Sequence, residues 1–188
     1  MRVFKKIFSE LYLFAIKLTR YVNVDFYMKK YTKYLKKKGI KIDGTPKFIS
    51  GSVYFDSADY SKIAIGNNIT ISREVLFLTH DYTITTALAS MGTYIDRGEG
   101  ELYTLKGIKI GENCFIGARV SILPGTTIGD NVIVGSCSVV KGNIPSNSIV
   151  IGNPCKVIGN TREWVEKQME RKDYLVEQQH GKNERSNP

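Results

Sequence analysis

The chain has 188 residues, of which 42% are hydrophobic and 24% charged, the size and mix of one globular domain with appendages. No run of eighteen uncharged apolar residues exists to span a membrane. The net charge is +9, and residues 1–41 account for all of it, holding twelve Lys or Arg against Glu10 and Asp25; such charge suits nucleic acid in principle, but no recognised binding motif accompanies it.

At the N-terminus, Val3, Phe4, Ile7, Phe8, Leu11, Phe14, Ala15 and Leu18 recur at helical spacing, with Arg2, Lys5, Lys6, Lys17 and Arg20 around them. This predicts an amphipathic helix. The same stretch has the outline of a signal peptide, but Lys17 interrupts its apolar run and no small-residue cleavage site follows, so a cytoplasmic address is expected. A second helix is predicted from about Asp25 to Lys38, carrying Tyr27, Tyr31, Tyr34 and Leu35 beside many lysines. Two compatible roles suit residues 1–41. They cap the open end of the repeat that follows, or they give peripheral contact with the inner face of an anionic membrane or a lipid-linked acidic substrate.

A six-residue register begins with Ile65-Gly66-Asn67-Asn68-Ile69-Thr70 and Ile71-Ser72-Arg73-Glu74-Val75-Leu76, reaching Phe77. It fails from His80 to about Lys106. It then returns at Ile110, Ile116, Ile122, Ile128, Val134 and Val140, with glycine directly after four of those six. A period of six fits neither an α-helix nor simple alternation, but suits a chain that makes a short strand, turns a corner and repeats. The expected fold is an all-β solenoid, a parallel β-helix over residues 42–160. The aliphatic residue points inward, the fifth residue of each hexad fills the remaining space, and a glycine or Asn at the corner takes positive φ. Three hexads close a coil, and coils stack about 4.8 Å apart. The interruption at 80–106 must leave the column as an excursion, and it starts at the only histidine outside the tail.

Cys114 takes the inward fifth position of its hexad, Cys137 lies in another hexad and Cys155 in a turn; neither disulfide nor metal spacing is evident. Beyond Ile158, residues 161–188 are read as a helix starting near Thr161, with Trp164, Val165, Met169 and Leu175 facing the column, and then a polar tail containing His180.

The run from Ile116-Gly117-Ala118 through Ile122-Leu123-Pro124-Gly125-Thr126-Thr127-Ile128-Gly129-Asp130-Asn131, the continuation Ser138-Val139-Val140-Lys141-Gly142, and the ending Ile151-Gly152-Asn153-Pro154-Cys155-Lys156-Val157-Ile158 resemble the hexapeptide-repeat acyltransferases. Within them the chain is most similar to the galactoside, maltose and nodulation-type O-acetyltransferases and those that decorate surface polysaccharides. The resemblance covers about residues 50–160. It implies a left-handed β-helix, a homotrimer, acetyl-CoA as co-substrate with no metal, and active sites in the clefts between subunits.

It also implies roles for particular residues. His80 matches the general base, a role for which imidazole is suited near neutral pH. The backbone N–H of Ala118 matches the donor that stabilises the oxyanion and borders CoA. Ser136, Lys141 and Lys156 fall along the CoA path, although Gly142 and Phe115 replace the lysine and tryptophan that several relatives carry. Asp56, Ser57, Asp59 and Tyr82 are candidates for the acceptor, with Arg97, Glu99 and Tyr103 lining the cleft and Asp81 orienting the imidazole. The implied activity is O-acetylation of a sugar hydroxyl in surface polysaccharide biosynthesis. The alternatives are acetylation of an amino sugar or hydroxylated antibiotic, or a noncatalytic scaffold. A γ-type carbonic anhydrase needs three histidines around zinc, and the chain has two.

Overall fold

The computed structural model describes residues 2–56, 59–172, 174–177 and 183–185. The six-residue register becomes a triangular column with three parallel sheets for faces. On the first face Ile42, Ile65, Ile110, Ile128 and Ile144 stack in register. The second carries Ile49, Ile71, Ile116, Val134 and Val150, and the third Phe55, Phe77, Ile122 and Val140. Their side chains are buried in one continuous core. Fifth-position residues fill the gaps as expected: Cys114, Val120, Thr126, Val132 and Ser138 are all buried. The column also includes a first coil on Ile42, Ile49 and Phe55 and a partial last one on Ile144 and Val150, where the strict spacing of six is broken.

Corner chemistry meets the expectation of an Asn or a glycine at positive φ and fixes where in the hexad it falls. Left-handed backbone falls on the fourth residue of each hexad, not on the glycine that follows the aliphatic residue. At the corner between the first and second faces this residue is Asn68, Asn113, Asn131 or Asn147. Asparagine tolerates that conformation better than other non-glycine residues. Its side-chain amide also donates to the next Asn above, linking all four in a ladder at 2.9–3.1 Å. The next corner uses Glu74, Arg119 and Cys137, and the third uses Gly125 and Gly142. The second-position glycine serves close approach instead: a Cβ on Gly117 would lie 2.6 Å from the Ser136 nitrogen of the coil above.

Two helices precede the column, α1 (Arg2–Thr19) and α2 (Val24–Lys38). Asn23 caps α2 by accepting from the Phe26 N–H at 2.8 Å, and Gly39 ends it at φ 111°. Helix α2 buries Tyr27, Met28, Tyr31 and Leu35 over the open end of the first coil, where the Tyr27 hydroxyl donates to the Ile49 carbonyl at 2.8 Å. Helix α1 lies against α2 and, among its described side chains, sinks only Ile16 fully into the core.

At the other end, Ser148–Gly152 folds back antiparallel on Cys155–Asn160, and helix α4 (Thr161–Arg171) follows. Its cap is Asn160, which accepts from the N–H groups of Arg162 and Glu163. The prediction that this helix packs an apolar face on the column is not met. Trp164, Val165, Met169 and Leu175 are all exposed, because the returning strand that precedes the helix carries it off the column. His180 lies outside the described residues. Among the described residues no helix is long and apolar enough to cross a membrane.

Candidate active site

The excursion leaves the third face after Leu76–Phe77 and clasps itself at its root. His80–Asp81 pairs antiparallel with Thr104–Leu105, and the Lys106 N–H donates to the Thr79 carbonyl at 2.8 Å. A short helix, α3 (Thr83–Leu88), and further turns fill the loop. Coils on either side meet as though nothing intervened: Phe77 stacks directly under Ile122.

Beneath the clasp lies Asp56, at the corner of the first coil. Its side chain is 2% exposed, and one carboxylate oxygen accepts from the Thr79 N–H and the Thr79 hydroxyl at 2.9 Å each and from the His80 N–H at 3.1 Å. The same oxygen meets His80 Nδ1. A carboxylate held by several donors is an acceptor, so the imidazole proton resides on Nδ1 and the Nε2 lone pair is left available. The ring is about one third exposed, open enough for Nε2 to exchange a proton with a group outside the column.

This arrangement corrects two expectations. The sequence offers Asp56 as a contact for the acceptor, whereas the structure buries it under the histidine, where it orients the ring. It offers Asp81 as the orienting group, whereas Asp81 accepts from the Thr83 N–H and hydroxyl. Those bonds, with Lys141 and His80 nearby, hold its carboxyl below the usual range. Adjacent strand residues point to opposite sides, which is why Asp81 turns away from the ring that Asp56 meets.

Tyr82 and Tyr103 stack on each other at 4.8 Å between centroids, and each presents an edge contact to the His80 ring, at 5.3 and 6.4 Å. They form a half-exposed aromatic wall beside the imidazole. Arg97 and Glu99 lie in a turn of the excursion, and among the described residues neither makes a hydrogen bond or ion pair with the histidine. Asp59 accepts from the Ser61 N–H and hydroxyl at the start of a single 3₁₀ turn, a local capping role that holds its carboxyl low. Ser57 lies outside the described residues.

The remaining candidates divide between corners. Ala118 and, one coil above it, Ser136 sit where the second face turns into the third. Ala118 is half-buried, its carbonyl accepts from the Cys137 N–H, and its own N–H has no acceptor among the described residues. Lys141 sits where the third face ends, on the His80 side, close enough to act on Asp81. Lys156 is exposed on the returning strand, opposite Ile151. One chain thus carries the imidazole at one edge of the third face and the free amide at the other.

Comparison with known proteins bears on the repeat and the fold. Residues 107–142 match the family model described as bacterial transferase hexapeptide (six repeats). The chain is 37% identical over 119 residues to the galactoside O-acetyltransferase of Escherichia coli K12, covering 63% of this chain and 53% of that one. It is 32% identical over 130 residues to the putative lipopolysaccharide biosynthesis O-acetyl transferase WbbJ of the same organism, covering 64% and 65%. The chain therefore spans about half to two thirds of the length of these curated relatives. Among solved structures, a hexapeptide-repeat-containing acetyltransferase of Vibrio cholerae O1 biovar eltor, complexed with acetyl coenzyme A, superposes with a TM-score of 0.56 at 20% identity, over 81% of this chain and 87% of that one. The likeness is one of fold, and the column is a left-handed parallel β-helix.

Proposed function

We propose that this chain, which carries the bacterial transferase hexapeptide repeat, is an acetyl-CoA-dependent O-acetyltransferase acting on a sugar hydroxyl in surface polysaccharide assembly. The observation that carries the reading is the buried Asp56 carboxylate on His80 Nδ1, with Nε2 left open beside the Tyr82–Tyr103 wall. The likeness to the galactoside and lipopolysaccharide enzymes supports a sugar acceptor.

In this mechanism His80 Nε2 takes the proton of the acceptor hydroxyl as its oxygen attacks the thioester carbonyl carbon. Negative charge gathers on the carbonyl oxygen and is met by the Ala118 N–H. Collapse breaks the carbon–sulfur bond and CoA leaves as its thiol, taking the proton back from the imidazolium. Asp56 keeps the ring in the tautomer that can accept and favours its cation once formed. Ser136, Lys141 and Lys156 follow the CoA chain toward its phosphates, and Tyr82 offers the acceptor an apolar face. Because His80 and Ala118 lie at opposite edges of the third face, the reading requires a homotrimer in which the amide comes from a neighbouring copy. Residues 1–41 would hold that trimer at the inner membrane face, near lipid-linked glycan precursors.

Acetyl transfer from labelled acetyl-CoA to a panel of bacterial glycan precursors tests the reading. His80→Ala should lose transfer by on the order of 10²–10⁴-fold, whereas unchanged transfer removes His80 as the base. Absence of transfer to every hydroxyl acceptor, with acetylation of an amino sugar instead, favours the amine-directed alternative.

A further inference from the structure

Helix α1 has its apolar side outward. Phe4, Ile7, Phe8, Leu11, Phe14 and Leu18 fall on one helical face and are 49–78% exposed, while the helix meets the body of the protein through Leu13 and Ile16. The ridge continues past the helix end in Tyr21 and Val22, 81% and 90% exposed. An apolar strip of this length is not left to water without cause.

What borders it identifies the occupant. Along one edge, Phe8 and Tyr12 share a groove with Lys33, Lys37 and Lys38 of α2. Along the other, Phe14, Leu18 and Tyr21 share a groove with Lys17, Arg20 and Arg73. Two rails of cations therefore run beside the strip, and residues 1–41 contain only Glu10 and Asp25 as acids. Pairing two such ridges from separate copies would set rail against rail, a repulsive arrangement. An apolar ridge flanked by Lys and Arg matches a surface with phosphates outside and hydrocarbon beneath.

We propose that α1 is an interfacial anchor that lies in the headgroup layer of an anionic bilayer, with the ridge among the acyl chains and both rails on lipid phosphates. This makes specific the membrane contact suggested above, and it stands independently of acetyl transfer.

The test is sedimentation of the full chain with sucrose-loaded vesicles of phosphatidylcholine alone or with a third phosphatidylglycerol. Wild type should pellet with the anionic vesicles and bind neutral ones at least about tenfold more weakly. The Phe4→Ser, Phe8→Ser, Leu11→Ser triple variant changes only exposed side chains, and it should lose vesicle binding while keeping its circular dichroism spectrum and oligomeric mass. Charge reversal at Lys37 and Lys38 to Glu should weaken anionic binding without adding neutral binding. Failure of wild type to bind, equal binding to both vesicles, or retained binding by the triple variant overturns the proposal. A change in oligomeric mass with no effect on vesicles also overturns it, and assigns the ridge to a second copy. Because vesicle binding is read without substrate, an inactive protein that still binds separates this proposal from the acetyltransferase reading.

Discussion

Asp56 holds three donors of the 79–80 turn and the imidazole at once, so its two conservative replacements separate catalysis from folding. Asp56→Asn keeps an acceptor oxygen for the turn but cannot favour the imidazolium. Turnover should fall on the order of 10²-fold with KM little changed. Asp56→Ala leaves buried donors unpaired and should also lower unfolding free energy by about 2–3 kcal/mol, measured by urea denaturation. Thiols give a second residue-scale prediction. Burial pushes Cys114 up to about 11, whereas Cys137 is exposed. A disulfide reagent at neutral pH should therefore label Cys137 promptly and Cys114 only after unfolding. The same displacement fixes a sign: the unfolded thiol ionises near its ordinary value of 9.0 while the folded one stays protonated, so stability is fully present below pH 9 and is lost as pH rises toward 11. Tyr27 and Tyr31, both raised by burial, add loss in the same alkaline direction.

Corners are the elements on which the coils depend, and they differ in strain. Cys137 holds φ 62° with a side chain poorly suited to it, so Cys137→Asn or Cys137→Gly should raise stability by about 1 kcal/mol. Gly117→Ala should do the opposite. Its new methyl would meet the backbone of the next coil at 2.6 Å, at a cost of about 1–3 kcal/mol in thermal or urea unfolding. The legibility of the chain follows the same division. Hexads from Ile110 to Val140 could be read because every corner there has one length, and the excursion was marked by their failure. The first coil and the partial last one have unequal corners, so nothing in the spacing shows that Asp56 lies beneath His80, 24 residues away. Asp81 was the nearer carboxylate in sequence, and strand alternation turned it aside. The exposed side of α4 was hidden for another reason: its apolar spacing is the same whether a helix packs inward or is left uncovered.

Across the whole molecule, α2 and α1 do separable work, although their composition reads as one basic segment. Helix α2 closes the first coil with four buried side chains; without it the backbone groups of 41–42, 48–49 and 54–55 become a free sheet edge, a template for another chain. Deleting residues 2–38 should give material that associates irreversibly on size-exclusion chromatography. Deleting only 2–20 should leave a well-behaved column that no longer sediments with anionic vesicles. The clasp at 80–81 and 104–105 has a different consequence. Coils above and below it meet in perfect register, so the segment between the clasp strands is topologically a cassette. Its length and contents can drift without altering a single rung of the stack, and a lineage can vary what the excursion presents to its surroundings while inheriting the column, and the carboxylate beneath the histidine, intact.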